Sequence, residues 1–336
     1  CRMARTMLFR VLRYVGICVA AVTAAALALA AWLLLPVLPE PDIESRKGEL
    51  VRAREMGQRP VSGGRIAEVK LTSSSGLEVD LALRLPDSPL PGRPLLIMLG
   101  GQETGRQAVE LLPDTRGVTV AALSYPFGTI PHRDGLSLAL ALPRIQRGIR
   151  DTPAAAMLAT DYLLARPDLD PGRVELAGIS FGAYLAAVPA VLDPRIERLW
   201  LIHGSADPAG VIEAGLRERI PLDVVRKGVA WLLATAASAH HLSPEHWVAR
   251  LSPRPLIVVN ATDDSALTES AVRQLHGALR PPFEVLWSPG DHVHPKRPAT
   301  IDYITELLFR RISVRSGAAA SGPARQDRIA GPILPS

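Results

Sequence analysis

The segment Arg173–Ala183 constrains this chain more than any other. A short apolar run, Val174–Ala177, stops at Gly178-Ile179-Ser180-Phe181-Gly182, and Phe181–Leu192 then carries helical periodicity. The sequence therefore predicts a buried strand, a sharp turn and a helix with no spare residues between them. A turn of that kind strains the backbone, and Gly178 and Gly182 remove the side chains that would clash on either side of Ser180.

The rest of the chain repeats the rhythm. Leu95–Leu99, Val118–Leu123, Ile196–Ile202 and Leu256–Val259 are solid apolar runs, the pattern of strands covered on both faces, and Phe283–Trp287 reads as a further strand. Ala154–Leu164, Ala266–Leu279 and Arg297–Phe309 have helical spacing. Strands alternating with helices predict an α/β architecture, a mostly parallel sheet with helices on both faces. Ile66–Leu71 and Leu77–Leu85 alternate apolar and polar residues around Ser73-Ser74-Ser75-Gly76, which predicts an antiparallel hairpin at one edge. Residues 208–250 interrupt the rhythm between two strands. A connection that long, with helical patches such as Val224–Ala236, predicts a lid. The tail 315–336 is rich in Gly, Ala, Ser and Pro and is expected to be disordered. Residues 39–62, with Pro39, Pro41 and Pro60, read as a linker that holds a short helix within Glu44–Glu55. These boundaries leave 63–314 as the main domain.

No charged residue occurs from Tyr14 to Leu38. About 20 apolar residues suffice to cross a bilayer, and this run is apolar on all sides rather than striped. Arg5, Arg10 and Arg13 precede it in the basic segment 1–13, and Glu40, Asp42 and Glu44 follow it. That asymmetry predicts a cytoplasmic N-terminus and a body on the non-cytoplasmic side. Ala28-Leu29-Ala30 offers a signal-cleavage site, which would release a secreted protein. The apolar run continues past it through Trp32–Leu35, longer than most signal cores, so 14–38 is expected to stay as an anchor. The first residue is Cys1 rather than Met, so a start further upstream is expected. The net charge of +5 comes from the basic N-terminus and the Arg-containing tail, and the middle is close to neutral. A neutral body lacks the footprint of a nucleic-acid binder. Neither Cys1 nor Cys18 suits an intradomain disulfide, and no Cys-x-x-Cys pattern exists.

Ser180 on a strand-to-helix turn stands clear of the sheet, where a base can reach it, and the helix that follows directs free N–H groups at developing negative charge. With its flanking elements, G-x-S-x-G is the nucleophile elbow of a serine hydrolase. From about Ile66 to Phe309 the chain resembles the α/β-hydrolase superfamily, with an order of parts similar to its dienelactone hydrolase and prolyl-oligopeptidase-like branches. The resemblance implies a triad in the order Ser, acid, His. After Leu256–Val259, Asn260-Ala261-Thr262-Asp263-Asp264-Ser265-Ala266-Leu267-Thr268 is similar to the family's G-x-x-D-x-x-V-P loop, with Ala261 and Thr268 departing from it. The match implies Asp264 as the acid, with Asp263 as an alternative and Asp207 as a weaker one; helix capping is the bland role for these aspartates. After Phe283–Trp287, Gly290-Asp291-His292 fits the family's G-x-H and implies His292 as the base, with His294 as the fallback. His292 and His294 lack a third ligand at recognisable spacing, so no metal is expected. His203 is expected in the core, and His240, His241 and His246 in surface or core roles.

Two backbone N–H groups are expected to form the oxyanion hole: that of Phe181, and that of Gln102 or Gly101 in the loop after Leu95–Leu99. Gln102 follows from aligning Gly100-Gly101 with the family's usual His-Gly pair, and Gly101 stays open because the histidine is absent. Together these features imply hydrolysis of a carboxylic ester through an acyl-enzyme, with a small-molecule substrate and no metal or organic cofactor. The lid and the loop Tyr125–Arg133 are expected to select the substrate. A serine peptidase, a thioesterase or an acyltransferase would use the same groups, and a non-catalytic binding protein or scaffold could share the fold.

Overall fold

The computed structural model describes residues 2–87, 94–128, 135–167 and 173–318. Among the described residues, nine strands form one sheet: β1 (Leu50–Val61), β2 (Gly64–Ser73), β3 (Glu78–Pro86), β4 (Leu95–Leu99), β5 (Thr119–Leu123), β6 (Val174–Ile179), β7 (Ile196–Ile202), β8 (Leu256–Ala261) and β9 (Phe283–Ser288). Their order is β1-β2-β3-β5-β4-β6-β7-β8-β9. β1, β2, β3 and β5 pair antiparallel, while β5, β4, β6, β7, β8 and β9 pair in parallel.

The apolar runs bury both faces because alternate residues serve two separate cores. In β4, Leu95, Ile97 and Leu99 enter one cluster with α3 (Gly135–Leu164) and α4 (Ala183–Leu192). Leu96 and Met98 enter the other, with α9 (Pro298–Ala318). Trp200 and Ile202 of β7 join the second cluster and Leu199 and Leu201 the first. The chain leaves β4 for β5 on one side, then crosses by α3 to β6 on the other. The order of the sheet reverses there, and the carboxyl ends of β4 and β6 flank a crevice of the kind in which open α/β sheets bind ligands.

The candidate span belongs to α1 (Arg2–Leu34), which with the turn after it supplies a 26-residue stretch, Leu12–Val37, long and apolar enough to cross a membrane. Its far end is tied to the body. Leu33 and Val37 are buried. Gln146 Nε2 donates to the Leu33 carbonyl at 2.6 Å, Arg150 donates to the carbonyls of Pro36 and Pro39, and the ring Nε2 of His241 lies 2.9 Å from the Leu38 carbonyl.

The stretch 39–62, expected as a linker, is structured. Asp42 caps α2 (Ile43–Lys47) by accepting from the Ser45 N–H, Ile43 is buried, and β1 then pairs with β2 over its whole length. β1 escapes the sequence pattern because it lies exposed at the sheet edge, so nothing forces apolar and polar residues to alternate. Its charged side chains and Pro60 are the features that discourage an edge from pairing with another chain. The last helix runs to Ala318, past the expected onset of disorder at residue 315; the remainder of that tail lies outside the described residues.

Residues 208–251, between β7 and β8, form α5 (Pro208–Gly215), α6 (Asp223–Ala236), α7 (Ala239–Leu242) and two short 3-10 turns. α7 and the turns pack on α4, and α5 packs on α8 (Glu269–Ala278).

Candidate active site

β6 ends at Ile179, and Ser180 opens a single 3-10 turn, Ser180–Gly182, before α4. Ser180 has φ of 54°, a left-handed conformation that costs a non-glycine residue about 1–2 kcal/mol. The flanking glycines make the turn sterically possible. A Cβ on Gly182 would stand 2.0 Å from the Leu99 carbonyl oxygen, and one on Gly178 would stand 2.6 Å from the Ala186 Cβ and from the Gly182 carbonyl oxygen. The bends that project the serine thus require β4, β6 and α4 to meet backbone to backbone.

Two loops bring groups to that serine. Ser180 Oγ lies 2.8 Å from His292 Nε2, and His292 Nδ1 lies 2.8 Å from Asp264 Oδ2. The other Asp264 oxygen, Oδ1, accepts the N–H groups of Ala266 and Leu267, both at 2.9 Å. Burial pushes the Asp264 carboxyl up. The hydrogen bond and charge of His292 and the two backbone N–H groups outweigh it and hold the group below the usual carboxylate range. Of the two sequence alternatives for the acid, Asp263 accepts from its neighbour Thr262 in an exposed position, and Asp207 caps α5 by accepting the Gly210 N–H. His294 is exposed, and its Nδ1 accepts the Lys296 N–H at 3.1 Å. Capping of α8 falls to Thr268, which accepts from Ala271.

Sequence reasoning missed the groups that hold His292. Asp291 Oδ1 accepts the N–H of His292 at 2.6 Å and the N–H and hydroxyl of Ser265 at 2.8 Å, which joins the loop of His292 to the loop of Asp264. Those backbone bonds, before all else, lower its carboxyl to a pKa of about 2. Arg297 pairs with Asp291 and donates to the His292 carbonyl at 2.7 Å. No sequence spacing announces the contact of Asp291 with Ser265, because it joins two loops that only the sheet brings side by side.

His203, at the end of β7, is buried as expected, and its ring centroid lies 5.5 Å from that of His292. Its Nδ1 accepts the Val293 N–H at 2.8 Å, so Nδ1 carries no proton. Nε2 then donates to Ser288 Oγ, also at 2.8 Å. A neutral ring satisfies both contacts. Burial first, and His292 second, lower its pKa from 6.5 to about 4. A histidine depressed in this way adds stability that is complete above pH 6.5 and is lost as the pH falls through about 4. Urea unfolding at pH 7 and pH 4.5 should show a loss of up to about 3 kcal/mol from this group, reduced in His203→Asn, whose Oδ1 can accept the same N–H without titrating.

Among the described residues, His203, Asp264 and His292 form a group close enough to ligate a metal ion. Their four ring nitrogens are engaged with Val293, Ser288, Asp264 and Ser180, so the donor set is already used in hydrogen bonds and does not form a ready metal site.

Ser180 and His292 line a cavity of about 400 Å³, together with Gly100, Gly101, Gln102 and Phe181. The residues named for the oxyanion hole therefore share one space with the serine. Tyr125 donates its hydroxyl to the Gly100 carbonyl, and its ring meets Phe127 face to face and Phe181 edge-on. It props the loops from beneath; burial pushes its hydroxyl pKa up. The expected selectivity elements are corrected here. No residue of 208–250 lines this cavity, because that segment packs over α4 and α8, and Tyr125–Gly128 does not line it either. The rest of the loop expected to help, 129–133, lies outside the described residues.

No protein-family model and no curated protein sequence matches the chain. Solved structures do. An acetyl xylan esterase from Paenibacillus sp. R4 superposes with a TM-score of 0.58 at 16% identity, over 80% of this chain and 90% of the other. Acetyl xylan esterase 1 from Thermoanaerobacterium sp. JW/SL YS485 gives 0.53 at 15% identity, over 83% and 93%. A puromycin-hydrolyzing peptidase of Mycobacterium tuberculosis gives 0.54 at 14% identity, over 76% of this chain and 40% of that one. The elbow at Ser180, the parallel sheet and this likeness agree: the chain has the α/β-hydrolase fold.

Proposed function

We propose that this protein is a serine hydrolase that cleaves carboxylic esters through an acyl-enzyme. The observation that carries the reading is the unbroken line from Ser180 Oγ through His292 to Asp264, with 2.8 Å at each contact. Ser180 attacks the ester carbonyl while His292 Nε2 takes its proton. Asp264 accepts from Nδ1, fixes the tautomer and stabilises the imidazolium. The N–H groups of Phe181 and of Gln102 or Gly101 receive the oxyanion. Collapse of the tetrahedral intermediate expels the alcohol, which takes the proton from His292. Water then gives a proton back to His292, attacks the acyl carbon and releases the acid, and the proton returns to Ser180.

A fluorophosphonate probe tests the chemistry. It should label the wild type and leave Ser180→Ala unlabelled, and a folded protein that takes no label would point to a binding role. Esters, thioesters and peptides presented side by side test the bond that is cut. The likeness to acetyl xylan esterases supports the ester; faster cleavage of a peptide or thioester would move the assignment.

The same reading holds the protein at a membrane by Leu12–Val37, with the body on the non-cytoplasmic side. Arg5 and Arg10 before the span and Glu40, Asp42 and Glu44 after it support that orientation. Protease added to intact cells should degrade the body. Full protection would reverse the sidedness, and a mature chain beginning after Ala30 would mean a cleaved signal and a secreted enzyme.

A further inference from the structure

The cavity beside Ser180 has walls of a definite chemistry. On one side, Ile301, Ile304, Thr305 and Leu308 of α9 follow the i, i+3, i+4, i+7 spacing that puts residues on one helix face. Opposite them, Ala108 and Leu112 come from the 3-10 segment that follows β4 and its end. Ala108, Leu112, Ile304 and Leu308 are buried, so both walls are anchored in the core beneath α9 and hold their shape without a ligand. Among the described residues, no lysine or arginine lines the space, Glu103 is its one carboxylate, and His292 and His294 are its basic side chains. A negatively charged substrate group would meet no permanent positive charge there and one repelling carboxylate. The volume, about 400 Å³, lies in the range of small-molecule sites and is generous for an acetyl group.

We infer that the substrate carries an uncharged aliphatic acyl group longer than acetyl, seated between α9 and the 3-10 segment Gly105–Leu111, and that this pair of walls rather than the 208–250 insertion selects it. The inference rests on the hydrolase reading and specifies its substrate. Each methylene that moves from water into such walls favours the bound state, and the transition state with it, by roughly fourfold.

The test uses the full chain in detergent with p-nitrophenyl acetate, butyrate and hexanoate and with the p-nitrophenyl monoester of succinic acid. We expect kcat/KM to rise roughly fourfold per methylene across the neutral series, and the succinyl ester, which carries a carboxylate, to fall at least about tenfold below butyrate. Ala108→Phe fills the cavity and should lower the hexanoate-to-acetate ratio about tenfold. Leu111→Asp puts a charge on the lining at a half-exposed position that tolerates it in folding, and should lower the same ratio. Trp231→Ser, in α6 and away from the cavity, should leave the ratio at its wild-type value. A labelled, active enzyme with acetate as its best ester, or a ratio that moves with Trp231 and not with Ala108 or Leu111, would overturn the inference and leave the hydrolase reading standing. A folded enzyme that takes no fluorophosphonate label would remove both.

Discussion

Ser180→Ala is expected to lower kcat on esters by a factor on the order of 10⁵–10⁶ while the protein keeps its fold. The loss is large because the hydroxyl is the only group at this position that can form the acyl-enzyme. Alanine leaves the cavity, the N–H groups of the oxyanion loops and His292 in place, so residual turnover above water is expected from binding and oxyanion stabilisation alone. Alanine also accepts a φ of 54° with about the same strain as serine, so circular dichroism and the unfolding midpoint should barely move. A variant that lost only a few-fold would show that the 2.8 Å contact with His292 is structural.

The second large effect is expected at the other end of the line. His292→Ala should nearly abolish turnover, and Asp264→Asn should lower kcat by roughly 10⁴. Asparagine can keep one oxygen for the Ala266 and Leu267 N–H groups. The atom it then turns to His292 Nδ1 is an amide nitrogen, which favours the wrong tautomer of the ring. Because the three residues act as a unit, Ser180→Ala combined with Asp264→Asn should be hardly worse than Ser180→Ala alone. His294→Ala should retain most activity, since that ring accepts from Lys296 and does not meet the serine. Steady-state kinetics on the single variants decide the ranking, and the reverse order for the two histidines would make His294 the base.

The strands most plainly legible in the sequence were those whose burial on both faces writes a continuous apolar run. Leu95–Leu99 and Ile196–Ile202 coincide with β4 and β7 residue for residue. β1 was not legible, because an exposed edge strand imposes no pattern on its side chains. α3 begins well before its expected start at Ala154. Pro143 and Pro153 interrupt the local signal for a helix, but the side chains around them, Ile145, Ile149 and Ala154 among them, pack into the core.

In the site, the sequence alone announced the turn at Ser180 through glycine at 178 and 182; the contacts that require them, with the adjacent turn and α4 for Gly178 and with Leu99 of β4 for Gly182, belong to the fold. With the family resemblance, the sequence also narrowed the acid to Asp264, with Asp263 and Asp207 as alternatives, and the base to two nearby histidines. Tertiary structure brings Asp264 rather than Asp263, and His292 rather than His294, into the line that reaches Ser180, because a side chain's direction at the end of a strand depends on what the adjacent loop offers it. It likewise decided that α9 and the 3-10 segment after β4 wall the cavity while the 208–250 insertion lies elsewhere. Spacing along a chain records which residues can be neighbours on one element. Which elements face each other across a crevice is settled only when the sheet closes the distance between them.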